Sequence, residues 1–402
     1  IIRQTPSKFM SSTSLDCAHI ERVPDLAIAQ AKFVLTLPEY KDDEELKAKL
    51  LNTIVSKNMA PWYVEVCKEL NWERDEELYQ TMASRNESRL LELDQAIDNV
   101  LTHGTASEVR DEFLAKAQYL SDIGDKSKAL TVLGQAFAHT VAIGQKMDNV
   151  LSCIRIGFFF SNHELVRHHL ARAEELAEMG VDYEKRNRLQ IYRGLYGLMV
   201  RDFSSASTNF LATVATFACN ELLDHPTFIT YTVIAAIYAL PRLDLKRQVV
   251  DNSTLLQALH GLPGTRQFLF SLYDCDYAKF FQTLANVERQ VKENYILHPH
   301  YRCYVRDMKA KAYLQFLFSF QSVSFDYMAQ QFDVTPEFIE TEISQLIEMG
   351  KLFAKIDKVH RLVVLTRGIE QQRSDTYKQV VKQGDALLGK IGDLTKFLDS
   401  RR

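Results

Sequence analysis

Residues 322–366 read SVSFDYMAQQFDVTPEFIETEISQLIEMGKLFAKIDKVHRLVVLT. The opening Ser322–Phe325 is β-prone. A helix follows, ending near Phe332, and Thr335–Met349 carries apolar residues at the spacing of another, which Gly350 closes. Lys351–Ile356 and Arg361–Thr366 alternate or run β-branched on either side of Asp357-Lys358, the pattern of a hairpin. One more helix, Tyr301 through Leu317, stands just before. Helix, strand, helix, helix, hairpin is the winged-helix order, so residues 301–366 are predicted to form such a module.

A winged helix that reads DNA lays its third helix in the major groove, where basic and amide side chains reach base edges. The helix predicted at Thr335–Met349 instead carries Glu337, Glu340, Glu342 and Glu348, with no Lys or Arg. Those carboxylates would repel phosphates, so nucleic acid is disfavoured and protein contact favoured. Arg302, Arg306, Lys309 and Lys311 on the preceding helix keep weak nucleic-acid binding open as an alternative.

Upstream, from Ser107 to about Phe217, helix, tight turn and helix recur with small residues at matching places. Ala117, Ala129 and Ala136 stand where paired helices cross closely, and Gly124-Asp125 makes the turn. Equating Ala129, Val166 and Ala206 gives separations of 37 and 40, near the tetratricopeptide period but irregular. Gly194, Gly197 and Ala206 are the close-approach positions of the third unit, while Phe113, Leu120, Leu133, Leu170 and Phe210 supply the apolar layer between units. The expectation is a mainly α chain: a TPR-like right-handed helical-repeat solenoid over 105–300, then the winged helix. Phe228–Leu240 and Leu245–His260 continue the helical pairs, and Arg266–Leu284 reads as one aromatic-rich helical continuation. Its Tyr273, Tyr277, Phe280 and Phe281 are explained as core by helical spacing alone.

Residues 20–104 read as an N-terminal helical extension. Leu26, Ala29, Phe33 and Leu37 mark a first helix stopped by Pro38; Leu46, Leu50 and Ile54 follow an acidic first turn at Asp42-Asp43; Ala60-Pro61-Trp62 opens a third. Leu90, Leu93, Ile97 and Val100 then give a long charged helix one narrow apolar face, ended by His103-Gly104. Residues 1–19 lack helical periodicity and are read as a flexible tail. At the other end, 367–402 reads as a linker and a final helix. Its Tyr377, Val380, Gly384, Leu387, Ile391, Leu394 and Leu398 fall on one seam. Val380, Leu387, Ile391, Leu394 and Leu398 are the candidate residues for pairing with another helix, and packing back on the same domain is the alternative.

With 46% apolar and 25% charged residues, 15 Gly and 9 Pro, the chain has the composition of an ordinary folded protein with long helices and short connections. A net charge of −4 names no polyanionic partner. The six cysteines never approach CxxC spacing, which suits buried thiols in a reducing compartment. The longest uncharged run, Phe203–Asn220, is rich in Ser, Thr and Asn and predicts no membrane span. His163-Glu164 starts like a zincin motif but has Arg167 where the second ligand belongs. His298-Pro299-His300 resembles the start of a metallo-deubiquitinase pattern, yet Met308 and Lys311 stand where its Ser and Asp are needed. No phosphate-cradling GxxxxGK[ST], dinucleotide GxGxxG or GxSxG nucleophile elbow occurs. No catalytic, cofactor or metal residue is therefore assigned, and no enzyme activity is expected.

Helical repeats, a winged helix and a last helix form the layout of the PCI family, found among subunits of the proteasome lid, the signalosome and translation initiation factor three, and the chain resembles that family. Asp25-Leu26-Ala27-Ile28-Ala29-Gln30, Asn58-Met59-Ala60-Pro61-Trp62-Tyr63, Ile123-Gly124-Asp125-Lys126 and Arg186-Asn187-Arg188-Leu189 are similar to stretches of PCI subunits of the proteasome regulatory particle lid. So are Arg201-Asp202-Phe203, Thr230-Tyr231-Thr232-Val233, Phe270-Ser271-Leu272-Tyr273 and Lys355-Ile356-Asp357-Lys358-Val359. A signalosome PCI subunit is the nearest alternative. Leu365-Thr366-Arg367-Gly368 departs from the family, which has an acidic residue and Asn-Arg-Pro there.

The resemblance implies a non-catalytic scaffold in ubiquitin-dependent protein degradation, in cytoplasm and nucleus, without a cofactor. It implies as partners other PCI lid subunits, the C-terminal helices of lid subunits gathered in a bundle, the proteasome ATPase ring through the N-terminal arm, and a small acidic disordered lid protein. Two features of the sequence give these contacts a mechanism. Arg361, Leu362, Val363, Val364 and Leu365 are expected to form an unsatisfied hairpin edge that adds to a neighbouring sheet, and the final seam is expected to enter the bundle.

Overall fold

The structure, a computed structural model, describes residues 22–365 and 369–399. The expected tail over 1–19 and the link residues Thr366, Arg367 and Gly368 lie outside the described residues. The chain forms two compact units: one runs through Phe270 and includes Thr283–Val305, and the other holds Ser271–Gln282 and the chain from Arg306 onward.

The larger unit begins with α1 (Leu26–Thr36), α2 (Glu44–Ser56), α3 (Ala60–Leu70) and α4 (Glu76–His103). Asp25, Asp43 and Asp75 start α1, α2 and α4 by accepting hydrogen bonds from first-turn amides that the helices themselves leave unpaired. Trp62 and Val66 on α3 are almost wholly buried, and so are Leu50 and Ile54 on α2. The long α4 buries only Met82, Asn86, Leu93 and Ile97, as its single narrow apolar face requires.

Three helical pairs follow: α5 (Ala106–Asp122) with α6 (Lys126–Ala138), α7 (Ile143–Phe159) with α8 (His163–Glu178), and α9 (Tyr183–Val200) with α10 (Phe203–Thr213). Ala117, Ala129 and Ala136 are buried where α5 and α6 cross. Gly124 turns the chain with φ +81°, and a Cβ there would come within 2.6 Å of Trp62 Cβ, so both conformation and space demand glycine. In the third pair a Cβ on Gly194 would lie 2.5 Å from the Phe210 ring, and one on Gly197 would lie 3.3 Å from Ala206. The middle pair exchanges the roles. Val166 is the large residue, and Gly157 on the facing helix makes room, a Cβ there falling 2.6 Å from Val166 Cγ2. Equating Ala129, Val166 and Ala206 thus marks real crossing points, although the small partner changes sides.

A buried polar network joins these helices. The Arg188 guanidinium on α9, 5% exposed, lies 2.7 Å from the carboxylate of Glu221, which is 3% exposed, and 3.2 Å from Asp148 on α7. Cys219 donates to the same Glu221 oxygen, and Lys185 reaches both Asp148 and the carbonyl of Gly144.

Beyond α11 (His225–Ala239) the sequence reading needs two corrections. Leu245–His260 is not one helix: α12 (Arg242–Leu245) runs into a π-turn over Lys246–Val250, and α13 (Ser253–His260) starts afresh. The reason is Asn252, whose side-chain oxygen takes the amides of Thr254 and Leu255 as a cap. Nor is Arg266–Leu284 continuous. α14 (Pro263–Tyr273) and α15 (Tyr277–Glu293) are separated where Cys275 adopts φ +63° and Asp276 caps the amide of Lys279.

The smaller unit packs around aromatic rings. Phe332 sits 4.8 Å from Tyr277, 5.4 Å from Phe281, 4.9 Å from Tyr313 and 5.5 Å from Phe316, centroid to centroid. Tyr277 and Phe281 are therefore core, as their helical spacing indicated. Around them lie α16 (Tyr301–Leu317), which enters this unit from Arg306, then β1 (Ser322–Ser324), α17 (Phe325–Phe332), α18 (Pro336–Glu348), β2 (Ala354–Asp357), β3 (Leu362–Leu365) and α19 (Ile369–Asp399). Ile339, Ile343 and Leu346 of α18 are buried, as are Met328 of α17 and Val363 of β3. This is the helix, strand, helix, helix, hairpin order expected for 301–366.

Candidate functional site

The small sheet has the strand order β1-β3-β2, all antiparallel. Val363 stands opposite Val323 on one side and Ile356 on the other, and Leu362 opposite Ser324 and Asp357. β3 is thus the central strand. The reading of Arg361, Leu362, Val363, Val364 and Leu365 as an unsatisfied edge is corrected: β1, some forty residues earlier in the chain, takes the side that the hairpin leaves open. The open edges belong to β1 and β2, whose outer backbone groups have no sheet partner among the described residues. Of the five residues, Val363 is buried and Val364 is exposed on the opposite face of the sheet.

The surface of α18 is acidic, but not uniformly free. Glu340 pairs with Lys358 at 3.2 Å and Glu342 with Lys309 at 3.4 Å, while Glu337 and Glu348 are exposed. The four basic residues of α16 are largely spoken for. Lys309 lies over the Phe338 ring at 5.3 Å, Arg302 donates to Tyr301, Arg306 sits 3.6 Å from Asp307, and burial pushes the Lys311 ammonium down to about 8. Binding a phosphate through Arg306 or Lys309 would cost that cation its carboxylate partner.

The clearest interaction feature is α19. Val380 is 59% exposed, Leu387 60%, Ile391 51%, Leu394 59% and Leu398 60%, with Tyr377 at 70%. Instead of packing back, the seam faces outward. It is also wider than the a/d reading: Val381, Leu388 and Phe397 are exposed beside it, turning a narrow seam into a broad stripe. The signal for the extra residues was present in the Val380-Val381 and Leu387-Leu388 doublets, whose second members fall one helical step round the face. Burying a Leu or Ile side chain contributes about 1.5–3 kcal/mol, so a helix that leaves this many in water gains by pairing.

The histidine motifs have structural uses. His298 Nδ1 donates to the carbonyl of Lys292 at 2.7 Å and His300 Nε2 to that of Met199 at 3.0 Å, so both imidazoles fix the 3-10 turn His298–His300. His163 is exposed at the first position of α8, where Asn162 caps the helix. Among the described residues no group of three or more His, Cys, Asp and Glu could hold a metal ion, and no helix is long and apolar enough to cross a membrane.

Comparison with known proteins adds two family matches: residues 75–248 match the family model of 26S proteasome subunit RPN7, and residues 281–367 match the PCI domain. The chain is 39% identical to the 26S proteasome non-ATPase regulatory subunit 6 homolog of Arabidopsis thaliana, over 94% of this chain and 97% of that protein. It is 36% identical to the 26S proteasome non-ATPase regulatory subunit 6 of Dictyostelium discoideum, over 94% and 99%. With the 26S proteasome regulatory subunit RPN7 of Saccharomyces cerevisiae the identity is 30%, over 92% of each chain.

Proposed function

The chain belongs to the 26S proteasome subunit RPN7 family, and on that premise we propose that it is a non-catalytic structural subunit of the regulatory particle lid, supporting assembly and ubiquitin-dependent degradation. The relatives are named for the 26S proteasome, which favours it over the signalosome. The observation that carries the assembly role is the exposed apolar stripe of α19. Covering such a face with another helix takes its apolar side chains out of water, and the C-terminal helices of fellow lid subunits are the partners of matching kind. Contacts between winged helices run in this reading through the open β1 and β2 edges. The N-terminal extension over 20–104 is, in this reading, the arm directed toward the ATPase ring, and a small acidic disordered lid protein is a further partner that the family implies. Cytoplasm and nucleus are the compartments this role implies.

The test is deletion of residues 375–402, followed by size analysis of native extract and by melting of the purified chain. The expected result is a folded chain with unchanged melting that is missing from the large complex. Normal incorporation of the truncated chain would refute the assembly role of α19.

A further inference from the structure

In the larger unit a cavity of about 610 Å³ opens between α1, α3, the start of α6 and the end of α7. That volume is within the range of small-ligand sites. Beside Ala29 its apolar wall is aromatic, formed by Phe33, Phe159, Phe160 and Tyr295. Phe159 and Phe160 meet edge to face at 5.1 Å, and Phe159 packs on Trp62 at 5.3 Å, centroid to centroid. Around this wall stand three lysines and two glutamates, Lys32, Lys68, Lys126, Glu65 and Glu69, a surplus of one positive charge. Lys32 is paired with Glu69 at 2.7 Å and covers the Trp62 ring. Glu65 and Lys68 are one helical turn apart on α3, a spacing at which opposite charges attract. The uncharged polar lining is Thr36, whose hydroxyl donates to the Phe33 carbonyl, and the exposed Ser161. Lys126 carries the surplus. It is half-buried and makes no ion pair among the described residues, and its ammonium stands 5.7 Å from the centroid of the Phe160 ring. It is also the first residue of α6, where a cation opposes the helix dipole. A charge kept where local physics disfavours it, over an aromatic face that lines a cavity, points to a ligand.

We propose that this cavity binds an aromatic monocarboxylate, its ring against Phe159 and Phe160 and its carboxylate on the Lys126 ammonium. The charge follows from the lining. A cationic ligand would find the Trp62 and Phe160 rings already facing Lys32 and Lys126, and Glu69 already paired. A dianion such as a phosphate monoester would bring a second negative charge toward Glu65 and Glu69 with one surplus cation to meet it. The ring follows from the aromatic wall, because edge-to-face and offset ring pairs add to the burial of apolar area. Two sources carry this chemistry, a free aryl-alkanoic acid and the C-terminus of a polypeptide ending in an aromatic residue.

Calorimetric titration of the full chain with 3-phenylpropanoate, with 3-phenylpropanamide and with N-acetyl-Ala-Ala-Phe tests this. The expected result is saturable binding of both acids, and binding about tenfold or more weaker for the amide, which keeps the shape and loses the charge. Tighter binding of the tripeptide acid assigns the site to a chain terminus, and equal or tighter binding of 3-phenylpropanoate assigns it to a free acid. Lys126→Met removes the anchoring charge and keeps the length of the side chain, so binding of the acids falls about tenfold or more. Melting is unchanged in that variant, since relief of the dipole penalty offsets the lost contact with Phe160. Lys126→Arg keeps binding to within about threefold. Lys128→Met removes the other lysine of the same helical turn, which is 68% exposed, paired with Asp125 and outside the cavity lining, and leaves binding unchanged. Equal binding of acid and amide, no saturable binding of either acid, binding indifferent to Lys126→Met, or an equal loss in Lys128→Met would each overturn the proposal.

Discussion

Replacing Glu221 by Leu tests whether the buried network around Arg188 holds the helical pairs together. The Arg188 guanidinium is 5% exposed and Glu221 3%, whereas the second carboxylate, Asp148, is 40% exposed. Without Glu221 the guanidinium stays desolvated with only that partly screened partner, and breaking a buried pair from one side costs about 3–5 kcal/mol. Removing both charges, in Arg188→Met with Glu221→Leu, leaves no unpaired ion, and such apolar replacements of a buried pair are often neutral or even stabilising, by about 1–4 kcal/mol. The single variant is therefore expected to be less stable than the double, with a coupling of about 3 kcal/mol. Urea unfolding followed by tryptophan fluorescence measures this, because Trp62 and Trp72, the two tryptophans of the chain, both lie in the larger unit. If Glu221→Leu costs under about 1 kcal/mol, or if the double variant is as unstable as the single, the reasoning from desolvation fails.

Two substitutions separate close approach from mere helix propensity. In Gly194→Ala the new Cβ would fall 2.5 Å from the Phe210 ring, so melting should drop by the equivalent of about 1–3 kcal/mol. In Gly134→Ala it meets nothing within 4 Å, and the change should raise stability by up to about 1 kcal/mol; thermal melts that shift the same way would contradict the crossing assigned to Gly194. Burial, with His168 and Arg172 beside it, pushes His169 down to about 4. Its neutral form is favoured by folding, so its contribution to stability is complete above the ordinary histidine value of about 6.5 and is lost as pH falls toward about 4. Melting temperature against pH should accordingly flatten across that window in His169→Gln, and an unchanged slope would show that the imidazole is solvated.

Much of this protein is set down in its sequence because a helix is a local object. The 3.6-residue period of Leu26, Ala29 and Phe33 and the Pro38 and Gly350 stops act within a few residues of one another, and the helices appear where they indicate; at α2 the expected acidic first turn at Asp42-Asp43 shifts, Asp43 being the cap just ahead of Glu44. The missed breaks at Asn252 and Cys275 are local as well, but there a side-chain cap or a left-handed residue overrides a periodicity that continues across it. Crossing points were half legible: Gly194, Gly197 and Ala206 were read from their size, whereas Gly157 acquires its meaning only from Val166 on the facing helix. The strand order was not legible at all. Nothing in Ser322-Val323-Ser324 states that it will pair with Leu362–Val364, since backbone hydrogen bonding between distant strands carries little residue preference and is chosen by the packing of α17 and α18 between them. The stripe on α19 lies in between. Its apolar spacing is written in the sequence, but whether a helix turns that face inward or leaves it open depends on whether the rest of the unit offers a surface to cover it, and with the core filled by Phe332 and its neighbouring rings the face stays in water.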